Sequence, residues 1–589
     1  MPTRLPTRLP TRRAAARVAL ALLLGAPAAV DAQPEVPAWT KGATCYEVFV
    51  RSFQDSNGDG IGDLNGLTSR LDYINDGNPN SRTSLGARCI WLMPVAQSPS
   101  YHGYDVSDYY TVERDYGTNA DFRRFMREAH KRGIRVLVDM VLNHSSRDNP
   151  WFVAASRDTA SPFRNWYRWA SPKPAERGPW GQDPWVKSPV RDEYYYAVFS
   201  SHMPDLNYAT PAVLAETKKI ARFWLEQMHV DGFRLDAVSY LSEDHGRLQH
   251  SPGTHAVLHS WQAYAKSIRP DLFTVGEVYA PVDTMLAYYP DQLTSYFAFE
   301  AADSIIAGVA RGSAAHLLEP TLRLQREAPA GRWSPFLRNH DQPRTRTELG
   351  GDMAKARIAS LILLTMPGMP FVYYGEEIGM TGNKPDERLR TPMQWTAGPG
   401  DGFTTGTPWE RLADDSATVT VAAEDRDPAS LLTLHRTLIH LREHHAALAG
   451  GTIVPMSATH DAAAAYLRRG GGETVLVLAN LSASPLDSVR ISSAGAVLRS
   501  GSYRVRDLLG TTTAHGLLVA KDGRITSFVP LTTLAPTTGY LFAIVRVTEP
   551  RDPVARRPGW RRRRSSFRRA TWYGETDRDE ILNGDRRIR

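Results

Sequence analysis

NADFRRFMREAHKRGIRVLVDM, residues 119–140, joins a helical pattern to a short apolar, β-branched run, IRVLVDM (Ile134–Met140). A strand apolar on both faces belongs in a parallel sheet covered by helices, so the stretch reads as half of a βαβ unit. Seven similar runs lie around it: CYEVFV (Cys45–Val50), CIWLMP (Cys89–Pro94), GFRLDA (Gly232–Ala237), LFTVGEV (Leu272–Val278), SYFAFE (Ser295–Glu300), PFLRNHD (Pro335–Asp341) and FVYYG (Phe371–Gly375). Helical patterns separate most of them, as in TPAVLAETKKIARFWLEQM and DMAKARIASLILLTM. Eight such units predict an α/β fold, a (β/α)₈ barrel over residues 39–446. Residues 145–207, rich in Trp, Pro, Ser and Tyr, lack periodicity and read as a small domain inserted after strand three. After a last amphipathic helix, Ser430–His445, short evenly spaced strands over 451–547 predict a C-terminal antiparallel β-sandwich.

The chain of 589 residues has a formal charge of +7, but the charge is not spread evenly. Residues 1–32 carry +4 and residues 551–589 carry +7, which leaves −4 on the body. A basic nucleic-acid-binding face on the body is therefore excluded as a reading, and no nucleic-acid partner is expected. Residues 1–32 combine an Arg-rich start, a short apolar core (VALALLLGAPAAV) and small residues before Gln33, the pattern of a signal peptide. The apolar core is too short to span a membrane comfortably, and no other stretch reaches that length, so a secreted or periplasmic protein is expected. The Arg-rich tail, 551–589, lacks a core pattern and reads as disordered. The two cysteines, Cys45 and Cys89, sit on strands that would be neighbours; a disulfide and two buried thiols are both open.

A (β/α)₈ barrel works at the carboxyl ends of its strands. There the sequence places Asp236, Glu277 and Asp341, each closing an otherwise apolar run. One such carboxylate is readily a salt-bridged strand end; three converging on one cavity carry a cost that points to chemistry. Arg234 shares a strand face with Asp236 by the period of two and would hold it ionised. Glu277, in VGEVY, has apolar neighbours that would raise its pKa. One ionised and one protonatable carboxyl group is the arrangement for cleaving a glycosidic bond. His144 and His340 are candidate donors to sugar hydroxyls, with metal ligation as the rival reading. Fourteen Trp and 24 Tyr supply ring faces on which sugars stack, though the same residues build cores.

DSNGDGIGDLNG (Asp55–Gly66) poses a separate question. Oxygen side chains at Asp55, Asn57 and Asp59 with Gly60 match the start of an EF-hand calcium loop, yet the twelfth position is Gly66 and not Glu. The loop follows the first barrel strand directly, so it is a βα loop at the catalytic end.

DMVLNH (Asp139–His144), GFRLDAVSY (Gly232–Tyr240), VGEVY (Val275–Tyr279) and RNHD (Arg338–Asp341) resemble, in order, the signature segments of the α-amylase family of glycoside hydrolases. YHGYD around His102 and Tyr104 and MPDLN (Met203–Asn207) add two more, and the resemblance runs from about Trp39 to Val547. It implies a retaining mechanism with Asp236 as nucleophile, Glu277 as acid/base and Asp341 as transition-state stabiliser. Arg234 orients Asp236, while His144, His340, His102 and Tyr104 line the subsite of the attacked glucose, Tyr104 stacking on the ring. The implied cofactor is a structural calcium held by Asp55, Asn57, Asp59, the Ile61 carbonyl and Asp63, as in relatives similar to oligo-1,6-glucosidases; the alternative is an unliganded Asn/Asp/Gly turn. A second calcium, common under the inserted domain of amylases, is put in doubt by Ser239 and Tyr240, although Asn143 is present.

MPDLN and NKPDERLRTPMQW (Asn383–Trp395) resemble a group intermediate between the oligo-1,6-glucosidases and the neopullulanases, mostly α-amylases. Ala237 implies α-1,4 bonds, and Ser100, Tyr101 and His102 replace the acid with which α-glucosidases clamp a chain end. The expectation is an endo-acting α-amylase on starch and maltooligosaccharides. The alternatives are an α-glucosidase, oligo-1,6-glucosidase or transglycosylase on the same scaffold, and more remotely a non-catalytic glucosidase-like binding protein.

Overall fold

The computed structural model describes residues 36–547 apart from 245; the signal-peptide and Arg-rich-tail readings fall outside the described residues. Eight parallel strands form one sheet: β1 (Cys45–Val48), β2 (Cys89–Leu92), β3 (Arg135–Val141), β4 (Gly232–Asp236), β5 (Phe273–Gly276), β6 (Ser295–Phe297), β7 (Trp333–Ser334) and β8 (Phe371–Tyr373). Their order is β7-β6-β5-β4-β3-β2-β1-β8. The ring is joined by the Phe371 amide, which donates to the Pro335 carbonyl just beyond β7 (2.8 Å). Cys45 and Cys89 face each other in the β1–β2 register and are joined as a disulfide, which settles the question the sequence left open.

Period-two alternation builds the barrel in two layers. Cys45, Cys89, Trp91, Leu137 and Val275 point inward into one apolar cluster, while Tyr46, Ile90, Val136 and Phe233 point outward to the helices. One or two steps further along the strands, the inward positions are Glu47, Arg234 and Asp236, all buried, and Asp139, whose side chain is out of solvent. The barrel is thus apolar at its base and charged at its carboxyl mouth. The helices that cover it begin at caps legible in the sequence: Thr118 and Asp121 form a capping box on Asn119–Lys131, and Ser430 caps Leu431–His444.

The seventh strand departs from expectation. PFLRNHD is not a strand; β7 is Trp333–Ser334, and Asp341 lies in the loop beyond it. Pro335 has no N–H for the ladder, so pairing ends there, even though Phe336 and Leu337 remain buried and look strand-like.

Between β3 and β4 the chain builds a helix, Pro150–Arg157, and a three-stranded antiparallel sheet of Trp169–Ala170, Trp185–Lys187 and Tyr194–Tyr196. After the barrel come β9 (Thr452–Ala458), β10 (Ala463–Gly470), β11 (Glu473–Asn480), β12 (Ile491–Ser493), β13 (Gly501–Asp507), β14 (Leu517–Val519) and β15 (Thr538–Arg546), in the sheet order β12-β9-β10-β11-β15-β13-β14. Tyr466, Val475, Val477 and Leu541 join the barrel's core from one face. From the other face, Leu467, Leu476, Leu478 and Phe542 pack with Leu486 and Leu534 of a two-stranded ribbon. A single-residue slip would exchange the two faces, so both cores fix the register. Among the described residues no helix is long and apolar enough to cross a membrane.

Candidate active site

Arg234 is the centre of the mouth. It is fully buried. Its Nη1 donates to Asp236 Oδ1 (2.7 Å) and to both oxygens of Asp139 (2.9 and 3.0 Å); its Nη2 donates to Glu277 Oε2 (2.7 Å). One guanidinium therefore grips three carboxylates, and its own pKa rises because those acids outweigh burial. Glu277 follows β5 directly and lines the cleft, and its Oε2 also accepts from the Ala237 amide (3.0 Å). Ala237 sits in the left-handed region (φ 47°), a turn that carries the chain sharply away after the carboxylate.

Burial is the largest influence on these acids. It pushes Asp236 up to about 6, with Asp139 and Asp341 adding to it against Arg234. Asp139 is likewise raised to about 6, by burial against Arg234 and His340. Glu277 is raised by burial, with Asp236 and Asp341 opposing the effect of Arg234. The direction expected of Glu277 from its apolar neighbours therefore holds, since burial is the largest cause, and the like charges of Asp236 and Asp341 add to it while Arg234 opposes.

A second chain of contacts runs from β1 to the cleft. His340 is buried with both ring nitrogens engaged: Nδ1 meets Glu47 Oε1 (2.6 Å), and Nε2 meets the Tyr104 hydroxyl (2.6 Å) and Asp341 Oδ2 (3.2 Å). Burial would lower its pKa, but Asp341 and Glu47 outweigh that and push it up to about 9. Asp341, whose side chain is 44% exposed, is in turn held far below the usual carboxylate range; His340, Arg390 and Arg234 overcome its burial. Arg390 Nη2 donates to Asp341 Oδ1 (2.9 Å) and reaches Asp386 at 3.5 Å. The Tyr104 and His340 rings are nearly parallel, 5.6 Å apart. His144 Nε2 donates to the Tyr104 carbonyl (3.2 Å), and burial lowers its pKa to about 4, so it is neutral.

The structure brings all eight expected residues together. Asp236, Glu277, Asp341, His102, Tyr104 and His144 line one open cleft of about 580 Å³, with Arg234 and His340 beneath them. The sequence reading missed Glu47, Asp139, Arg390 and Asp386. The first two were findable as inward positions on β1 and β3; the last two lie in the NKPDERLRTPMQW stretch after β8, which was read for its resemblance and not for their contacts. A deep, aromatic-lined cleft with paired carboxyl groups suits a saccharide.

The Asp55–Asp63 loop lies apart from this cleft. Asp55 Oδ1 accepts from the amides of Asn57 and Gly58 (2.9 and 2.8 Å), and Oδ2 from the Gly60 amide (2.9 Å) and Thr404. These bonds outweigh burial and hold Asp55 low, hence anionic. Gly60 has φ +89°, and a Cβ there would fall 1.8 Å from the Thr407 carbonyl, so the curl requires glycine. Asp55, Asn57, Asp59 and the Ile61 carbonyl make an all-oxygen donor set of the kind a hard cation takes. Asp63 fits less well: its oxygens already serve Ser56, Asn65 and Gly66, capping the helix Leu64–Ser69. Among the described residues no three His, Cys, Asp or Glu side chains converge on one point. Beneath the inserted domain, Asn143 bonds Asp205 (3.2 Å), and Arg168 pairs with Glu243 (2.9 Å) and Glu176 (3.6 Å). A guanidinium supplies the positive charge there.

Known proteins resemble this chain over most of its length. The family description "Alpha amylase, catalytic domain" matches residues 47–451. Alpha-amylase 3 of Dictyoglomus thermophilum is 40% identical over 451 residues, 75% of this chain and 85% of that protein. The oligo-1,6-glucosidase of Parageobacillus thermoglucosidasius is 32% identical over 519 residues, 75% of this chain and 90% of that protein. Among solved structures, an alpha-amylase from H. orenii superposes with a TM-score of 0.74 at 36% identity, covering 86% of this chain and 99% of that one. The chain belongs to the alpha-amylase family and is an enzyme of the glycoside hydrolase type.

Proposed function

We propose that the protein is a retaining, endo-acting α-amylase that cleaves α-1,4 bonds in starch and maltooligosaccharides. The observation that carries this reading is Arg234 holding Asp236 and Glu277 through its two terminal nitrogens at the floor of one cleft. In the reaction, ionised Asp236 attacks C1 of the bound glucose while Glu277 protonates the departing oxygen. Water then gives a proton to Glu277 and displaces Asp236 from C1, so the configuration is retained. This double displacement goes with carboxyl groups about 5–5.5 Å apart. Asp341 stays ionised against a positively charged His340 and grips sugar hydroxyls as charge develops on the ring. At neutral pH Asp236, raised only to about 6, is mostly ionised, and the raised pKa of Glu277 favours the proton it must donate.

The loop Asp55–Asp63 is proposed to hold a structural calcium through Asp55, Asn57, Asp59, the Ile61 carbonyl and Asp63; the ion stiffens the loop and takes no part in the chemistry. Export to the periplasm or medium is proposed from the pattern of residues 1–32 and is supported by the Cys45–Cys89 disulfide, since disulfides persist in oxidising compartments.

An exo-acting glucosidase is the second reading. It is favoured by the Arg390–Asp386 pair, which sets a charged wall at one end of the cleft although no acid precedes Gly103. The time course of products from starch, pullulan and maltotriose separates the two. Mixed maltooligosaccharides early in starch digestion support endo action; glucose alone overturns it. Asp236→Ala should abolish starch hydrolysis, and an active variant would refute the mechanism.

A further inference from the structure

Charged side chains line the cleft on the side of β7, β8 and the loop after β2: His102, Asp341, Asp386 and Arg390. Arg390 ties this group together. Its Nε donates to the His340 carbonyl (3.0 Å) and its Nη2 to Asp341. Yet it follows a single helical turn, Asp386–Leu389, in a long connection after β8, so its own position has to be set by neighbours. One of them is Ser52, on the turn Val50–Phe53 after β1: its hydroxyl donates to the Arg390 carbonyl and accepts from the Trp409 indole Nε1 (3.0 Å).

Trp409 does not line the cleft, but it touches three segments that support the charged side. Its amide donates to the Gly60 carbonyl (2.9 Å), in the loop Asp55–Asp63. Its Nε1 reaches Ser52. Its ring stacks on Tyr101, in the loop after β2, with centroids 5.3 Å apart and 26° between the planes. Tyr101 in turn meets His102 edge-on (5.3 Å) and lies under the Arg390 guanidinium (5.8 Å). The connection that carries Trp409 is pressed against the Asp55–Asp63 loop. The Asp55 amide donates to the Phe403 carbonyl (3.0 Å), Thr404 bonds Asp55, and a Cβ on Gly406 would fall 2.2 Å from the Gly58 carbonyl. Backbones packed this closely move together, because a dense interior transmits displacement.

We infer that Trp409 is a positioning residue: through Ser52 and Tyr101 it sets Arg390 and His102, and through Gly60 it couples their grip on the saccharide to the state of the Asp55–Asp63 loop. The coupling rests on the proposals above that the loop holds calcium and that the cleft holds a maltooligosaccharide. The junction is the Gly60–Ile61 peptide. Its oxygen accepts from Trp409, and its N–H donates to Asp59 Oδ1 (2.8 Å). With a cation on Asp59 and the Ile61 carbonyl, the peptide that Trp409 holds is fixed. Linkage then works in both directions: whatever factor calcium adds to saccharide affinity, saccharide adds to calcium affinity.

The test measures binding by calorimetry in the full chain carrying Asp236→Asn, which keeps the saccharide uncleaved. Calcium should tighten maltopentaose by about fivefold relative to chelator, and saturating maltopentaose should tighten calcium by the same factor. Adding Trp409→Ala should weaken maltopentaose by roughly fivefold and bring both coupling factors close to one. Trp409→Phe, which keeps a ring against Tyr101 and loses only the bond to Ser52, should restore most of the coupling. An unfolded fraction lowers the stoichiometry and not the affinity, so a destabilised variant still reports. Two ligands that bind without coupling, or a Trp409→Ala variant that keeps both factors and its maltopentaose affinity within twofold of the parent, overturn the role of Trp409. A parent that binds maltopentaose but no calcium overturns the calcium reading and the coupling with it, and Trp409 is then judged on maltopentaose affinity alone. A parent that binds no maltopentaose overturns the substrate reading and this inference together.

Discussion

Arg234 and the pair Arg442 and Arg468 are equally removed from solvent, yet they sit in opposite surroundings. Arg234 meets three carboxylates. Arg442 meets only carbonyls, those of Leu364 (3.2 Å), Met366 (2.7 Å) and Gly368; Arg468 likewise meets those of Thr365, Leu448 (3.2 Å) and Gly451 (2.6 Å). Most of these carbonyls lie at or just past the end of the helix Met353–Leu364, where the helix dipole is negative and its last carbonyls lack partners. The electrostatic consequence differs in sign. Burial, with Arg468 beside it, lowers the pKa of Arg442, whereas the acids around Arg234 raise its pKa despite burial. Dipoles compensate a buried charge without titrating. Carboxylates compensate it while having their own pKa values set, and that is what a catalytic floor needs.

The sharpest way to break this contrast is to remove each guanidinium while keeping its length. Arg234→Met should lower kcat on maltooligosaccharides by about a thousandfold, the scale of losing a preorganised charge at a reacting centre. Asp236, Asp139 and Glu277 would lose their cation, so their carboxylates would become harder to ionise. The acid limb of the kcat/KM profile should then move to higher pH. Activity within tenfold of wild type would mean that Arg234 does not organise the site. Arg442→Met should do the reverse, leaving kcat/KM in place and lowering unfolding free energy by about 2–4 kcal/mol, because buried carbonyls lose their donor. Denaturant unfolding measures it. A loss of activity in the folded variant would erase the distinction.

The role of Arg234 was legible in part, as a cation holding Asp236 ionised; that of Arg442 was not. Arg234 was flagged because it lies two residues before an acid on a strand; Asp139, its other partner, was read only as part of a motif. Strand periodicity located the barrel well because each run is buried on both faces, as Cys45–Val48 and Cys89–Leu92 are. It failed at β7, where Phe336 and Leu337 are buried in a loop and mimic a strand that Pro335 has already ended. Pairings across long separations left no trace: Glu47 reaches His340, and Arg390 reaches Asp341 from a loop 49 residues on. Arg442 lies on a helix whose amphipathic pattern gave no reason to expect a buried cation. Local pattern reports what a residue's own element does; partners supplied by other elements have to be seen.

A smaller effect tests the rule on a buried acid. Glu376 Oε2 accepts from Thr345 (2.7 Å), and Oε1 has no protein partner. Burial pushes its pKa to about 8, with Glu377 and Glu47 adding and Thr345 and Arg344 opposing. Folded Glu376 therefore keeps its proton where the unfolded chain, near 4.5, has released it. Stability falls as pH rises from 4.5 to 8 and levels off above that. His340, raised to about 9, stabilises fully below its unfolded value of about 6.5 and loses that contribution as pH rises towards 9. Both therefore weaken the fold between pH 6.5 and 8. Glu376→Gln should remove about 2 kcal/mol of that decline and leave the His340 part, read from unfolding curves at the two pH values. An unaltered slope would show that Glu376 is ionised in the fold.

The smallest effect concerns charges compensated by the loop's own amides. Asp55 and Asp63 already accept enough N–H donors to hold the turn, so calcium adds only its mass-action term. A chelator should lower Tm by about 5 °C, and calcium should restore it where magnesium does not. Two variants separate the ion from the hydrogen bonds. Asp59→Ala should leave the chelated Tm nearly unchanged while abolishing the response to calcium, because Asp59 is exposed and bonds only Ile61 and Asn57. Asp63→Ala should lower Tm with or without calcium, by the roughly 1 kcal/mol of a lost helix cap. A Tm indifferent to chelator in the wild type would make the loop a hydrogen-bonded turn that, like Arg442, compensates its charge with dipoles alone, here those of amides and of the Ser56 and Thr404 hydroxyls.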